Sequence, residues 1–241
     1  MSNQEKTINV TPNGDTLIIR EGRAPEVFRY DGFRYNANST PALIELVKSK
    51  SVKPHCVVAY NENGFQAILN DKVVDREQDR ITYIFKKSQQ YKEWKKILED
   101  GSVFTQKQFL DFLRRREEGE INAIDSLIAN IQGFKYVTNI SGDFTFDDRN
   151  NYTFAIKVGD SETTVKLPQY LVANIEIYNE SGFTQEIELE LEVEKPKAEG
   201  EKPLFALHCP KLPRYLQLAV DYEIDRVKKE LDGYLIVAGD I

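Results

Sequence analysis

Cysteine, tryptophan and methionine are scarce here: two, one and one in 241 residues. The two cysteines, Cys56 and Cys209, are too few for the disulfide framework of a small secreted domain. No stretch approaches the ~18–20 consecutive apolar residues that a membrane-crossing helix needs. The N-terminal MSNQEKTINV lacks the apolar segment of a signal peptide, so the expected setting is a soluble, reducing cytoplasm. There is no glycine-rich phosphate loop, no nucleophile elbow and no calcium-loop spacing. Positive charge is also in deficit. With 32 basic and 39 acidic residues the formal net charge is −7, the wrong sign for a protein that works by neutralising duplex phosphates.

What is present describes a folded chain. Hydrophobic residues make up 41% and charged residues 29%, and 13 Phe with 12 Tyr argue against disorder. The chain is organised around Ser102–Phe134. Thr105 and Gln108 have the spacing of a capping box, with Phe104 and Phe109 placed as a hydrophobic staple. Phe109, Phe112 and Leu113 then form an apolar stripe at helical spacing. Arg114, Arg115 and Arg116 crowd the helix end, where the macrodipole favours cations. Gly119 interrupts the pattern, and Ile121, Ile124, Leu127, Ile128 and Ile131 start a second helix that Gly133 closes.

Residues 1–101 read as a small α+β unit. Leu17–Ile19 and Val27–Tyr30 are candidate short strands, with Asp31-Gly32 a turn. Ser39-Thr40-Pro41 opens a helix. His55–Tyr60 and Phe65–Leu69 form a hairpin, Arg80–Phe85 a further strand and Gln89–Leu98 a short helix. Residues 102–136 are the helical pair. Residues 137–241 form an antiparallel β-rich unit, a sheet or sandwich, with one C-terminal helix. A final apolar strand, Tyr234–Ala238, is expected to be buried inside a sheet or between subunits. The fold class is α+β.

Chemistry-bearing clusters are thin. His55-Cys56 and His208-Cys209 invite a metal site, but neighbours on a strand face opposite ways, so each dipeptide offers one ligand where structural zinc takes four. Asp143, Asp147 and Asp148 flank a predicted hairpin turn, where Asp is favoured for turn hydrogen bonding. The expectation is a protein that is not an enzyme and takes no cofactor or metal. Two surfaces remain as candidates for interaction. One is acidic: in Gln185–Glu194, Glu186, Glu188, Glu190 and Glu192 alternate with Ile187, Leu189, Leu191 and Val193, putting a row of carboxylates on one sheet face. This row either keeps the sheet solvated or meets a basic partner. The other surface is basic: Lys86, Lys87, Lys92, Lys95 and Lys96 are interleaved with Phe85, Tyr91 and Trp94. It is either a lysine-coated helix with its aromatics packed inward or a track for single-stranded nucleic acid. Together the two also suit head-to-tail self-association.

The order of several stretches resembles the YfdQ-like family of uncharacterised phage and prophage proteins. They are YKEW at Tyr91–Trp94, FTQKQFLDFL at Phe104–Leu113, LPQYLVANIEIY at Leu167–Tyr178, the Gly182-Phe183 turn into a charged strand, and the C-terminal helix running into a short strand. The similarity spans residues 20–239. Asn70-Asp71 departs from it, standing where an Asp with a nearby His is expected. The resemblance implies a phage or prophage origin and expression in the cytoplasm of a bacterial host; it implies no catalytic residues. The expected function is that of a non-enzymatic accessory protein that assembles as a homo-oligomer, a ring or shell. The alternatives are a single-strand-binding accessory of recombination or replication, and a decoy against host defence. No membrane partner is expected.

Overall fold

The structure is a computed structural model. It describes residues 32–71, 77–133, 144–146, 151–158, 161–194 and 203–241, with side chains described for 32–71, 77–133, 167–194 and 203–241. The candidate strands before residue 31, the loop 195–202 and the turn carboxylates Asp143, Asp147 and Asp148 lie outside the described residues.

The fold is α+β, with mixed β/α sequence first, helices in the middle and an antiparallel sheet with a helix at the end. A five-stranded sheet is built mainly from the N-terminal third. It comprises β1 (Arg34–Asn36), β2 (Val57–Asn61), β3 (Gly64–Ile68) and β4 (Arg80–Ile84), together with β12 (Leu235–Ala238) from the chain's end. Its order is β1-β4-β3-β2-β12. β2, β3 and β4 form an antiparallel meander, whereas β1 and β12 join the two edges in parallel. One face is covered by α1 (Thr40–Lys50) and by α5 (Leu212–Glu230), which bury Leu43, Ile44, Val47, Val227 and Leu231 against Val58, Phe65, Ala67, Ile81 and Tyr83.

The second sheet has the order β5-β11-β10-β9, from β5 (Ser102–Thr105), β11 (Leu204–His208), β10 (Thr184–Glu194) and β9 (Tyr170–Glu176). All its pairings are antiparallel. Its inner face holds Leu171, Ala173, Ile175, Ile187, Leu189, Leu191, Phe205 and Leu207. Against them pack α2 (Gln89–Asp100), α3 (Gln106–Leu113), α4 (Ile124–Gly133) and the first half of α5. A three-stranded antiparallel sheet, β6 (Phe144–Phe146), β7 (Asn151–Val158) and β8 (Ser161–Pro168), completes the fold.

Local chemistry accounts for the helix starts. Ser39, Ser88 and Thr105 each cap a helix, and Thr105 with Gln108 makes both halves of the capping box. Phe104 stacks on Phe109 with ring centroids 5.6 Å apart, closing the staple. Gly101 at φ 75 ends α2, a left-handed conformation that an L side chain rarely adopts. The centre of the fold differs from expectation in one respect. Ser102–Thr105 is a strand before it is a helix start, pairing with β11 about a hundred residues later.

The terminal strand corrects one of its two expected placements. It is not inside a sheet: among the described residues β12 is an edge strand with Leu235 56% and Val237 38% exposed. The physical reason is that only Ile236 and the preceding Tyr234 turn toward the core beneath α1 and α5, while alternation sends Leu235 and Val237 to the opposite face.

Candidate functional site

Paired strand residues share a face, so the registers define each sheet's uncovered side. On the five-stranded sheet, Leu235 pairs with Val57 and Val57 with Ile68; Val237 pairs with Ala59. These five, with Ile84 on β4, belong to neither hydrophobic core. Leu235 and Ile84 are more than half exposed. The face therefore carries an apolar strip running from β12 through β2 to β3. Among the described residues no helix packs on it. Arg34 and Arg80, which pair across β1 and β4, limit the strip at the far edge.

On the four-stranded sheet the uncovered side carries the glutamate row. Glu186, Glu190 and Glu192 are exposed and Glu188 half-buried. Glu188 accepts from Lys211 Nζ at 2.6 Å, and Glu192 lies 3.9 Å from His208 Nε2. The Glu188 backbone N–H donates to Tyr215 Oη at 3.2 Å, which ties the start of α5 to this strand. Glu190 makes no ion pair among the described residues.

The basic surface is rearranged relative to its sequence. Trp94 is fully buried and Tyr91 nearly so, so neither ring is offered to a ligand. Both pack inward, and Trp94 Nε1 donates to the buried Glu120 carboxylate. Lys87 sits half-buried with Nζ 4.4 Å from the centroids of both Tyr91 and Tyr178. Burial pulls its pKa down to about 8, while the two ring faces favour the cation. Lys86 donates to Asn38 Oδ1 at 2.7 Å, and Lys95 lies 3.8 Å from Glu99. Of these lysines, only Lys92 and Lys96 stay exposed with no side-chain partner among the described residues.

The sequence separates Lys96 from the arginine triplet, and the structure brings them together. Lys96, Val103, Phe104, Phe112 and Arg115 line one groove of about 410 Å³ between α2, β5 and α3, with Asp111 as its acid. Arg114 and Arg115 are exposed and make no side-chain ion pair among the described residues. Arg116 has a different role from its neighbours. Its side chain is 8% exposed, its Nη1 lies 3.1 Å from Glu120 and 3.4 Å from Glu93, and its guanidinium rests 4.7 Å from the Phe112 ring centroid. It is a buried ion pair joining α2 to the turn after α3, and it also donates from Nε to the Phe112 carbonyl at the helix end. Sequence reasoning treated the three arginines alike. The signal that separates Arg116 is Glu120, four residues on.

The two His-Cys dipeptides stay apart. Cys56 is in the core under α1 and Cys209 in the core of the other sheet. Burial pushes both thiols up, Cys209 to about 11, so both are unreactive thiols near neutral pH. Among the described residues no group of three or more His, Cys, Asp or Glu is arranged to hold a metal ion.

One buried carboxylate joins the two halves. Glu223 on α5 is 1% exposed. Its Oε1 accepts from Ser181 Oγ, and Arg226 donates to the Ser181 carbonyl at 2.6 Å. Its Oε2 is buried without a hydrogen-bond partner, as is Tyr83 Oη. No described helix is long and apolar enough to cross a membrane. No protein-family model, no curated protein and no solved structure matches the chain.

Proposed function

We propose that this chain is a non-catalytic accessory protein, of the phage or prophage kind implied by its resemblance to the YfdQ-like family, and that it works by assembling with copies of itself. The phage origin and the bacterial cytoplasm come from that resemblance alone. The observation that supports assembly is the uncovered apolar side of the five-stranded sheet, which ends in edge strand β12. An edge strand with outward backbone groups templates further pairing, and soluble proteins usually blunt it with charge, proline or a bulge. Leu235–Ala238 has none of these. The strip beside it continues the same apolar surface inward through Val57, Ala59 and Ile68. A self-complementary patch on a sheet edge fits an isologous, two-fold interface. The buried Tyr91 and Trp94 weigh against the single-strand-binding alternative, which needs free ring faces.

The test is size-exclusion chromatography with light scattering across micromolar concentrations. A dimer or larger species is expected. Leu235→Glu with Val237→Lys, at positions too exposed to disturb the core, is expected to give a folded monomer. A wild-type chain that stays monomeric throughout sinks the proposal.

A further inference from the structure

We infer a second, heterologous interface, in which the glutamate row of one copy docks on the exposed cations of α2, Lys92 and Lys96, and of the turn after α3, Arg114 and Arg115, of the next. It rests on the reading above in taking a second copy as the partner. Its basis is complementarity in sign, spacing and direction.

The sign is clear on both sides. Among the described residues Lys92, Lys96, Arg114 and Arg115 are exposed cations without side-chain partners, in a chain of net charge −7. Of the acids near them, Glu93 pairs with Arg116 and Glu99 with Lys95, while Asp100, Asp111, Glu117 and Glu118 make no ion pair among the described residues and leave the patch mixed in sign at its margin. Facing them in a partner would be Glu186, Glu190 and Glu192, exposed carboxylates on one strand face.

The spacing also agrees. Residues two apart on a strand repeat at ~7 Å, and residues four apart on a helix lie ~5–6 Å apart. Glu190 and Glu192 therefore have the pitch of Lys92 and Lys96, with Arg115 across the groove to meet a third carboxylate. The groove floor is Phe104 and Phe112 beside the exposed Val103, which lowers the local dielectric around a docked pair.

Direction decides the geometry. α2 buries Tyr91, Trp94, Ile97 and Leu98 against the inner side of the four-stranded sheet, so Lys92 and Lys96 point away from that sheet on its helical side. The glutamate row points away on the other side. One copy cannot satisfy both patches internally, and docking one onto the other stacks copies in sequence along the sheet normal. Such head-to-tail contacts close into a ring when the rotation per copy permits and otherwise extend. A two-fold contact through β12 combined with this one builds assemblies larger than a dimer.

Salt separates the two contacts. Between about 0.1 M and about 1 M salt the Debye length falls from ~10 Å to ~3 Å, which weakens a contact between exposed charges and spares an apolar one. Light scattering on the full chain is expected to show a species larger than a dimer at the lower salt and a dimer at the higher. Lys96→Glu with Arg115→Glu, or Glu190→Lys with Glu192→Lys, is expected to stop growth at the dimer at both salts. Combining the four changes in one chain restores opposite signs and is expected to restore the larger species. A wild-type species of the same size at both salts, or a four-fold variant that stays dimeric, overturns this interface and leaves the two-fold contact standing. A monomer under every condition overturns both.

Discussion

The two larger sheets share a plan and differ in how they meet solvent. Each has one side packed under helices and one side bare among the described residues. On the four-stranded sheet every second residue of β10 from Glu186 to Glu194 is a glutamate on the bare side. On the five-stranded sheet the equivalent positions of β12 and β2 include Leu235, Val237, Val57 and Ala59, continued on β3 by Ile68 and by the polar Gln66 beside Ala59. The edges follow the same division. β9 is closed by the chain itself: Ile121 bridges to Ala173, the Asn122 N–H donates to the Val172 carbonyl at 3.0 Å, and the Asn174 N–H donates to the Glu120 carbonyl at 2.8 Å. β12 has no such cover among the described residues. The chain thus has two bare faces among the described residues, one lined by glutamates with its β9 edge closed, the other more apolar with its β12 edge open, and the proposed two-fold contact rests on the second.

The strongest way to break that contrast is to remove the charge. Glu186→Val, Glu190→Val and Glu192→Val together turn β10 into an alternating strand with apolar residues on both faces. The expected outcome is a chain that folds but precipitates or runs in the void volume at concentrations where the wild type stays soluble. If the triple variant stays as soluble as the wild type, the glutamates do not protect this face, and the comparison fails at its root.

Much of this was legible in the sequence because its signals are local. The capping box at Thr105, the cap at Ser39, the strand alternation of Gln185–Glu194 and the helical stripe at Phe109–Leu113 each depend on residues within four of one another. What escaped depends on partners far along the chain. Ser102–Thr105 becomes a strand because Leu204–Leu207 arrives beside it. β12 lies at an edge because β2 takes it in parallel on its open side. α5 carries Ala219 and Val220 into one core and Val227 and Leu231 into the other; its heptad-like spacing says only that one stripe is buried. The groove that unites Lys96 with Arg115 has the same origin, since the eighteen residues between them fold back as strand and helix.

The halves also differ in how their helices are anchored, which gives a second way to sharpen the comparison. In the four-stranded half α2 and the α3 turn are joined by a buried network: Arg116 and Trp94 both reach Glu120, and the Glu117 N–H donates to its other oxygen at 2.8 Å. In the five-stranded half the link between α1 and α5 that carries charge is Lys48 with Glu230 at 2.9 Å, exposed on the surface. Glu120→Ala leaves an indole N–H unpaired and the buried guanidinium with only the half-exposed Glu93 as counter-ion, a loss approaching the ~3–5 kcal/mol of breaking a buried pair. Lys48→Ala costs far less, because solvent screens an exposed pair. Chemical denaturation of both variants checks the ranking; equal losses would mean that the buried network contributes no more than the surface pair.

The smallest expected effect concerns what the halves share. Tyr83 lies in the five-stranded core and Tyr178 in the other, and burial raises both phenols to about 12. The Glu223 carboxylate on α5 adds to both shifts. A phenol whose folded pKa is raised contributes stability that is complete below its unfolded pKa of about 10 and is lost as pH climbs through the folded value. The phenols' share of the stability is therefore expected to be flat to about pH 9 and to fall between about pH 10 and pH 12, in step with tyrosinate absorbance, on top of an opposite rise above about pH 8 as the half-buried Lys87 loses its proton. Glu223→Gln removes the shared negative charge while keeping a group that can accept from Ser181, so it is expected to lower both phenol values and shrink the alkaline loss by on the order of 1 kcal/mol. A variant that shrinks the loss from Tyr83 but not from Tyr178 would show that the two cores do not feel the same carboxylate, and that α5 joins them by packing alone.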